Sequence, residues 1–252
     1  MMIKNSIQHF LQSLLGFKRY LFTFAIFKIG TLRFDRKEND FLFFLHLIEK
    51  EGIILDIGAN LGIMAVKLAK RKTKSQIFAF EPIPTNMETL QKVIRFFRLK
   101  NVSLFEFALG DHTGRIEMVM PMIGSVKKQG LSHVIHESIS EFNEGEKFTT
   151  DIRQLDEIAE IKNSGLPVTA IKIDVENFEY FVLKGGQELL KQWKPIIYCE
   201  LWENQNREQC FELLENIGYQ TKVRIGNSLC AYDKKKNDTQ NFFFVMPTET
   251  IH

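Results

Sequence analysis

From residue 40 onward, short continuous runs of apolar residues alternate with stretches in which the apolar residues recur at helical spacing. Continuous apolar runs of about four to eight residues are typical of parallel strands that helices cover on both faces. The alternation therefore predicts an α/β fold: a doubly wound, mostly parallel seven-stranded sheet with an antiparallel C-terminal strand. The predicted strands are residues 52–57, 76–80, 101–108, 168–174, 195–201, 219–225 and 241–246.

The alternation lapses over residues 110–150, between the third and fourth predicted strands. Polar runs and glycines surround two short strand-like pieces there, residues 115–120 and 147–152. We interpret this segment as a β-hairpin or lid inserted into a domain of residues 51–252. The helices that the spacing predicts after the insertion are residues 155–162, 178–190 and 205–217.

Residues 1–50 are predicted to form a helical, basic extension before this domain. Residues 1–37 contain seven basic residues and one acidic residue, a charge of +6, so the net charge of +2 leaves −4 for the remainder. The helical face of the extension either packs on the domain or rests on a membrane surface as a peripheral anchor. No apolar stretch in it approaches the roughly 20 residues that span a membrane. The apolar residues that share the face are Ile7, Phe10, Leu11, Leu14 and Leu15.

The three cysteines, Cys199, Cys210 and Cys230, form no CxxC pair. Their count and spacing argue against a disulfide framework or a zinc cluster and are typical of a cytoplasmic protein. The acidic remainder of the chain argues against nucleic acid as a partner, because phosphate contacts need a concentrated basic face.

The segment DIGANLG, residues 56–62, follows the first predicted strand and opens the next helix. Gly58 permits a tight turn, and Gly62 leaves the helix start open, where backbone N–H groups attract a carboxylate or phosphate. We expect Asp56 to hold an ammonium group of the ligand directly or through water. The glycine spacing G-x-x-x-G, in place of G-x-G-x-x-G, argues against a dinucleotide.

Glu81 ends the second predicted strand, 25 residues after Asp56. An acid at this strand end can accept hydrogen bonds from both hydroxyls of a ribose. Alternatively, it stabilises the start of the following helix by its charge. Its position before the turn at Pro82 and Pro84 favours the ribose. A loop for an amino-acid end, together with an acid for a ribose, indicates a pocket for an adenosyl amino acid.

Further segments follow this loop in a fixed order. They are LDIGANLG at 55–62, FEPIP at 80–84, ALGD at 108–111, IKIDVE at 171–176 with Glu179, VLKGG at 182–186, and KP at 194–195 leading to Glu200. On these segments the chain resembles the FkbM family of S-adenosylmethionine-dependent methyltransferases over roughly residues 50–203. The resemblance implies a Rossmann-like class I methyltransferase fold, S-adenosylmethionine as the cofactor, and O-methylation of a hydroxyl on a sugar, glycan or small metabolite. The family has glycine at the position of Asn177, a departure that bears on backbone geometry and substrate choice.

Strand-end acids are the candidates for the chemistry, since methylation of a neutral hydroxyl needs alignment and a base that takes the proton. We expect Asp174 to be the base or a ligand of the acceptor hydroxyl, with Glu176 and Glu200 lining the acceptor site. A divalent ion held by Asp174 and Glu200 is an open alternative, but two acids do not indicate one and no metal is predicted. The residues expected to bind the cofactor are Asp56, Gly58, Asn60, Gly62, Glu81, Pro82, Ala108, Leu109, Asp111 and Asp174.

Three further residues are candidate contacts of the small-molecule or glycan acceptor: Glu179, His133 and Trp202. Each also has an ordinary structural interpretation. Glu179 can be an exposed acid that stabilises a helix dipole, His133 an exposed loop histidine, and Trp202 a packed core residue. The alternative function is that of a catalytically silent protein that binds an adenosyl ligand. The intact acids and glycines of the segments favour an enzyme.

Overall fold

The computed structural model describes residues 10–123, 126–127, 129–136, 139 and 143–247. Its strands and helices follow the alternation that the sequence predicts. The strands are β1 (Ile53–Ile57), β2 (Gln76–Phe80), β3 (Val102–Phe105), β4 (Ala108–Gly110), β5 (Gly114–Ile123), β6 (Val126–Lys127), β7 (His133–Val134), β8 (Gly145–Gln154), β9 (Val168–Ile173), β10 (Ile196–Glu200), β11 (Gln220–Ile225), β12 (Ser228–Ala231) and β13 (Asn241–Val245). The helices are α1 (Phe17–Thr31), α2 (Asn39–Leu47), α3 (Ile63–Arg71), α4 (Pro84–Phe96), α5 (Ala159–Lys162), α6 (Glu179–Lys184), α7 (Gln187–Trp193) and α8 (Gln205–Ile217).

The larger sheet has eight strands in the order β12-β11-β13-β10-β9-β1-β2-β3. The run from β10 to β3 is parallel, and β13, β11 and β12 add antiparallel pairs. The chain moves outward from β1 to β2 and β3 and then returns to the other side of β1 as β9. In a doubly wound sheet, ligands bind outside the carboxyl ends of the strands where the order reverses. The predicted fold is confirmed, and the reversal places the ends of β1 and β9 at such a crevice.

The sheet has one strand more than predicted. Strand β12 pairs antiparallel with β11 across a turn at Gly226 and Asn227. A two-residue Gly-Asn turn between strand-like runs is a hairpin signal, but β12 has only four residues, and no strand is predicted between residues 225 and 241.

The predicted third strand is broken. Residues 102–105 pair with β2, whereas Ala108–Gly110 leave the larger sheet and pair in parallel with β8. A second, five-stranded sheet results, with the order β4-β8-β5-β6 and with β7 paired to β5. The long β5–β8 hairpin accounts for the predicted insertion, and the second sheet carries Met118 and Val134 towards the crevice.

The predicted helix over residues 178–190 is two helices, α6 and α7, interrupted at Gly185 and Gly186. A Cβ on Gly185 would lie 1.9 Å from the carbonyl oxygen of Gly110. The bend therefore lets the helix pair pass directly over the backbone that follows β4, and a side chain at residue 185 would force the two apart.

The N-terminal helices pack on the domain. Tyr20, Leu21, Ala25 and Ile29 of α1 are buried against α3 and α4. Helix α2 places Phe41 and Phe44 on the face of the larger sheet, in one cluster with Tyr198 of β10 and Phe243 of β13. No helix among the described residues is long and apolar enough to cross a membrane.

The predicted amphipathic face divides at its ends. Leu11 and Leu15 pack against the same cluster as α1, whereas Phe10 and Leu14 are 62% and 66% exposed. Ile7 lies outside the described residues.

Candidate functional site

A cavity lies at the carboxyl ends of β1, β2 and β9, under the second sheet. The space between its lining residues, including the mouth that opens to solvent, is about 610 Å³. Apolar walls from Phe80, Phe107 and Met118 face polar groups from the loops. The predicted residues that line this first cavity are Gly58, Asn60, Glu81, Pro82, Ala108, Leu109, Asp174 and Glu176.

Glu81 is held rigidly at the end of β2. Its Oε2 accepts a hydrogen bond from the backbone N–H of Asn60 at 2.8 Å, and its Oε1 accepts from the backbone N–H of Ile83 at 2.9 Å and from Asn86 Nδ2 at 3.3 Å. Burial raises the pKa of Glu81 to about 7 against these hydrogen bonds, which favour the charged form. A fixed carboxylate that retains lone pairs towards the cavity can accept further hydrogen bonds from a diol.

The glycine loop is pinned between β2 and β9. The N–H groups of Gly58 and Ala59 both donate to the carbonyl of Phe80, at 3.1 and 2.9 Å. Gly58 has a φ of 75°, and a Cβ there would lie 1.9 Å from the carbonyl oxygen of Asp174. Only glycine meets both demands, so the backbone of residue 58 reaches the cavity without a side chain.

Gly62 has a different role from the one predicted. It has a φ of 82° and precedes α3, and a Cβ would lie 2.3 Å from Leu90 Cδ1. This glycine allows α3 and α4 to pack closely, and it does not line the first cavity.

Asp56 also differs from the prediction, because it is 0% exposed and does not line the cavity. It lies beside Lys172 in the register of β1 and β9, with Asp56 Oδ1 3.3 Å from Lys172 Nζ. Asp56 therefore forms a buried ion pair with Lys172, and it does not face the cavity, where it could contact a ligand's ammonium directly. The cause is strand alternation, which turns residue 56 onto the sheet face rather than into the crevice.

Lys172, which the sequence analysis did not single out, anchors this end of the sheet. Its Nζ donates to the carbonyl of Gly58 at 2.8 Å and lies 3.8 Å from Asp174 Oδ2. Burial alone would lower the pKa of Lys172, but attraction to Asp56 and Asp174 outweighs it and raises that pKa. A lysine inside an otherwise apolar buried strand was the available signal, because buried charges are paired.

The predicted acids Asp174, Glu176 and Glu200 converge at the ends of β9 and β10. Burial, with repulsion from Asp174, raises the pKa of Glu176 to about 9 and that of Glu200 to about 7. The side chain of Asp174 is 32% exposed, which leaves it open to a bound molecule. At neutral pH the three acids therefore supply both donors and acceptors of hydrogen bonds.

A second cavity opens on the other side of Asp174, between the start of α2 and the ends of β9 and β10. Its floor is formed by the buried side chains of Lys172 and Tyr198. Asp174 lines both cavities, which makes it the link between them. The remaining lining residues are Arg36, Lys37, Glu38, Asp40, Met64, Glu200, Gln240 and Asn241.

Besides Asp56 and Gly62, four predicted site residues line neither cavity. Asp111 pairs with Lys184 Nζ at 2.8 Å, which ties the end of β4 to α6. Glu179 is buried and accepts hydrogen bonds from the N–H groups of Val175 and Asn177, at 3.1 and 3.2 Å. It therefore holds the loop of the acids in shape rather than facing an acceptor.

The other two residues are His133 and Trp202. His133 is buried, and its two ring nitrogens lie 2.8 Å from the carbonyl of Leu131 and 3.1 Å from Asn143 Oδ1. Trp202 is half-buried, and its backbone carbonyl accepts from Arg207 Nε at 3.0 Å. The predicted acceptor contacts Glu179, His133 and Trp202 thus lie outside both cavities, while the second cavity beside Asp174 is lined partly by residues before α2.

Asn177, the departure from the family pattern, adopts the glycine-like backbone, with a φ of 78°. Asparagine tolerates this left-handed region better than other side chains. Its Oδ1 accepts from Asn204 Nδ2 at 2.6 Å, and its carbonyl accepts from Asn206 Nδ2 at 2.8 Å. The substitution preserves the turn and adds a tether to the start of α8.

The residues of the first cavity fit an adenosyl amino acid. Asn60 Oδ1 and Asn86 Oδ1 are buried without a hydrogen-bond partner in the described part of the chain, and both residues line the cavity. Such atoms need a polar ligand or water, since an unsatisfied buried acceptor is costly. Glu81 suits a ribose diol, and the apolar walls suit a flat base. No group of three or more His, Cys, Asp or Glu residues among the described positions could hold a metal ion.

Comparison with known proteins finds methyltransferases among the relatives of this chain. Two curated relatives are methyltransferases by name: 2-O-methyltransferase NoeI of Sinorhizobium fredii, 31% identical over 163 residues (61% of this chain, 65% of the relative), and Methyltransferase sdnD of Sordaria araneosa, 24% identical over 222 residues (78% and 85%). The chain thus spans just under two thirds of NoeI. A solved structure, Methyltransferase FkbM from Methylobacillus flagellatus KT, shares the fold with a TM-score of 0.52 at 18% identity, covering 79% of this chain and 45% of that one.

The family model describing the methyltransferase FkbM domain matches residues 56–225, more than half of the 252 residues. This range includes the glycine loop, Glu81, Lys172 and the three acids, and leaves out α1, α2 and β13. The chain belongs to the FkbM methyltransferase family.

Proposed function

We propose that this chain is an S-adenosylmethionine-dependent O-methyltransferase that acts on a hydroxyl of a sugar, glycan or small metabolite. The observation that carries the proposal is the position of Asp174, which lines both the adenosyl-type cavity and the polar cavity beside it. When bound, S-adenosylmethionine supplies a methyl group activated by a sulfonium. The name of the relative NoeI, a 2-O-methyltransferase, supports oxygen as the acceptor atom.

Cofactor binding falls to the first cavity. Glu81 would accept hydrogen bonds from the ribose hydroxyls, because its carboxylate is already fixed by Asn60 and Ile83. The backbone of Gly58 and the side chain of Asn60 would face the amino-acid end, and Leu109 with its apolar neighbours would cover the base. The rigidity of this cradle matters, since a pre-ordered site loses less entropy when it binds.

The proton of the acceptor hydroxyl must leave as the oxygen attacks. Bound S-adenosylmethionine would give its methyl carbon to the acceptor oxygen and keep the carbon–sulfur electron pair on sulfur, and a carboxylate of this chain would take the hydroxyl proton. Asp174 is the base in this proposal, because it faces both cavities. Glu176, with its pKa of about 9, is protonated at neutral pH and donates a hydrogen bond, so it orients rather than accepts.

A catalytically silent adenosyl-binding protein is the alternative, and turnover separates the two. Calorimetry with S-adenosylmethionine should show affinity reduced about tenfold or more in Glu81→Gln, as expected for the loss of a charge-assisted pair of hydrogen bonds. Asp174→Asn should bind the cofactor like the wild type and fail to transfer labelled methyl groups to molecules of a heat-treated cell extract. Asp151→Asn, which removes an exposed acid from β8, is the matched control.

Two results would contradict the proposal. Unchanged affinity in Glu81→Gln would remove the cofactor from this cavity. Wild-type transfer by Asp174→Asn would remove its role as base, and cofactor binding with no transfer by the wild type would favour the silent protein.

A further inference from the structure

The second cavity, which is the acceptor cavity of the proposed function, is built partly by residues outside the matched family domain. Its lining combines strand ends of the domain with Arg36, Lys37 and Glu38 from the turn before α2, and with Gln240 and Asn241 at the start of β13. The family match covers residues 56–225, so both segments belong to the parts of the chain that the family does not define. The flanking segments of this chain therefore supply part of the cavity lining.

The turn that carries Arg36 and Lys37 is fixed from both sides. Asp35 caps it, since its Oδ1 accepts from the backbone N–H of Lys37 at 3.1 Å and its Oδ2 pairs with Lys28 Nζ of α1 at 2.6 Å. These contacts hold the entry to the turn against α1.

On the other side, Asp40 Oδ1 pairs with Arg224 Nη1 at 3.1 Å, and Asp40 Oδ2 accepts from Asn241 Nδ2 at 3.2 Å. The turn is thus tied to α1, β11 and β13. Its two basic side chains start from a defined edge of the cavity, which is the condition for recognition rather than loose attraction.

The charges of the cavity are arranged in two zones. Carboxyl groups of Glu38, Asp174 and Glu200 lie within one another's electrostatic reach around the strand ends. Arg36 and Lys37 are exposed at the mouth, and in the described part of the chain neither forms an ion pair. The cavity therefore has carboxyl groups near Asp174 that can bind hydroxyls. At its edge it has two cations, Arg36 and Lys37, that form no ion pair in the described part of the chain.

We propose that the acceptor is a polyhydroxylated molecule that bears an oxyanion, such as an acidic sugar, and that Arg36 and Lys37 bind the oxyanion. Carboxyl groups are good partners for sugar hydroxyls, and guanidinium and ammonium groups bind carboxylate, phosphate or sulfate. This inference rests on the proposed methyl transfer. It adds the class of acceptor and the residues that select it.

The test uses the full chain with methyl-labelled S-adenosylmethionine and the heat-treated small-molecule and glycan fraction of the source cells. The labelled product is applied to an anion exchanger at pH about 7, which lets the cationic unreacted cofactor pass. We expect the product to be retained, and its retention before and after phosphatase treatment separates a phosphate from a carboxylate or sulfate.

Arg36→Gln/Lys37→Gln should reduce kcat/KM for the acceptor that gives this product about tenfold or more, while the affinity for the cofactor stays that of the wild type. Arg71→Gln/Lys100→Gln removes the same charge from exposed positions that line neither cavity and should leave kcat/KM unchanged. A neutral labelled product, or equal kcat/KM in the two double variants, would overturn the inference and leave the methyltransferase proposal intact. Absence of any labelled product would contradict the methyltransferase proposal itself.

Discussion

The buried pair of Asp56 and Lys172 gives the sharpest test of how the glycine loop is held. Replacing Lys172 with Met removes the ammonium but keeps an unbranched apolar chain in the core. The replacement leaves the Asp56 carboxylate, 0% exposed, without its ion-pair partner. It also removes the 2.8 Å hydrogen bond that Lys172 Nζ donates to the Gly58 carbonyl. Breaking a buried pair in this way costs about 3–5 kcal/mol of stability.

We therefore expect Lys172→Met to lower the free energy of unfolding by about 4 kcal/mol, a large part of the roughly 5–15 kcal/mol of a folded domain. For a chain of this size that corresponds to a melting temperature about 8–16 °C lower. Urea unfolding, followed by circular dichroism, measures the difference. Lys100→Met, at an exposed position, is the control and should stay within about 0.5 kcal/mol of the wild type.

The double variant Asp56→Leu/Lys172→Met identifies the cause. With both charges gone, no unpaired carboxylate is buried, so the double variant should recover about 2 kcal/mol relative to Lys172→Met. It should also keep its affinity for S-adenosylmethionine within about tenfold, because Asp56 lies outside the cavity. A single variant that loses less than about 1 kcal/mol, or a double variant no more stable than the single one, would refute the argument. Complete loss of S-adenosylmethionine binding in a folded double variant would favour a role for Asp56 in the cofactor site.

Three further outcomes follow from the same structure. Gly58→Ala should abolish cofactor binding in calorimetry, because its Cβ would lie 1.9 Å from a carbonyl oxygen. The control Gly30→Ala lies in a helix with open space around it, so its effect on stability should be neutral or favourable. Normal cofactor binding by Gly58→Ala would contradict the close approach. Glu81 and Glu179 have pKa values raised from 4.5 to about 7, so the folded chain keeps protons that the unfolded chain releases. Stability should fall as pH rises from about 4.5 to 7, by up to about 3 kcal/mol for each group, and urea titrations at pH 5 and 8 that showed equal or rising stability would disprove this. The N-terminal helices pack on the domain through their buried residues, and we propose that the apolar side chains they leave exposed rest on anionic membranes. Liposomes containing phosphatidylserine should then retain the wild type and release a variant in which three exposed apolar side chains are replaced by serine. Equal retention of the two would exclude the anchor. The three side chains are Phe10, Leu14 and Phe27.

The position of the first cavity could be predicted from the sequence because its signals are local. The apolar runs defined β1 and β2, and the turn residues that follow them defined the glycine loop and the place of Glu81. Strand ends of a doubly wound sheet meet at one edge, so that the predicted residues Gly58, Glu81 and Asp174 lie around one cavity. Asn177 was visible as a departure, and its left-handed backbone explains why asparagine can stand there.

Contacts between distant parts of the chain were decided only in the tertiary structure. Asp56 and Lys172 are neighbours because β9 pairs with β1 at one register, and a run of apolar residues does not say which strand lies beside it. The same holds for Asp111, which pairs with Lys184 of α6 and does not line the first cavity. The second cavity is the extreme case, since Arg36 and Asp174 line it together only through the packing of α2 on the sheet face. Local sequence thus determined which residues surround the first cavity, and long-range pairing decided what holds the glycine loop and what lines the second cavity.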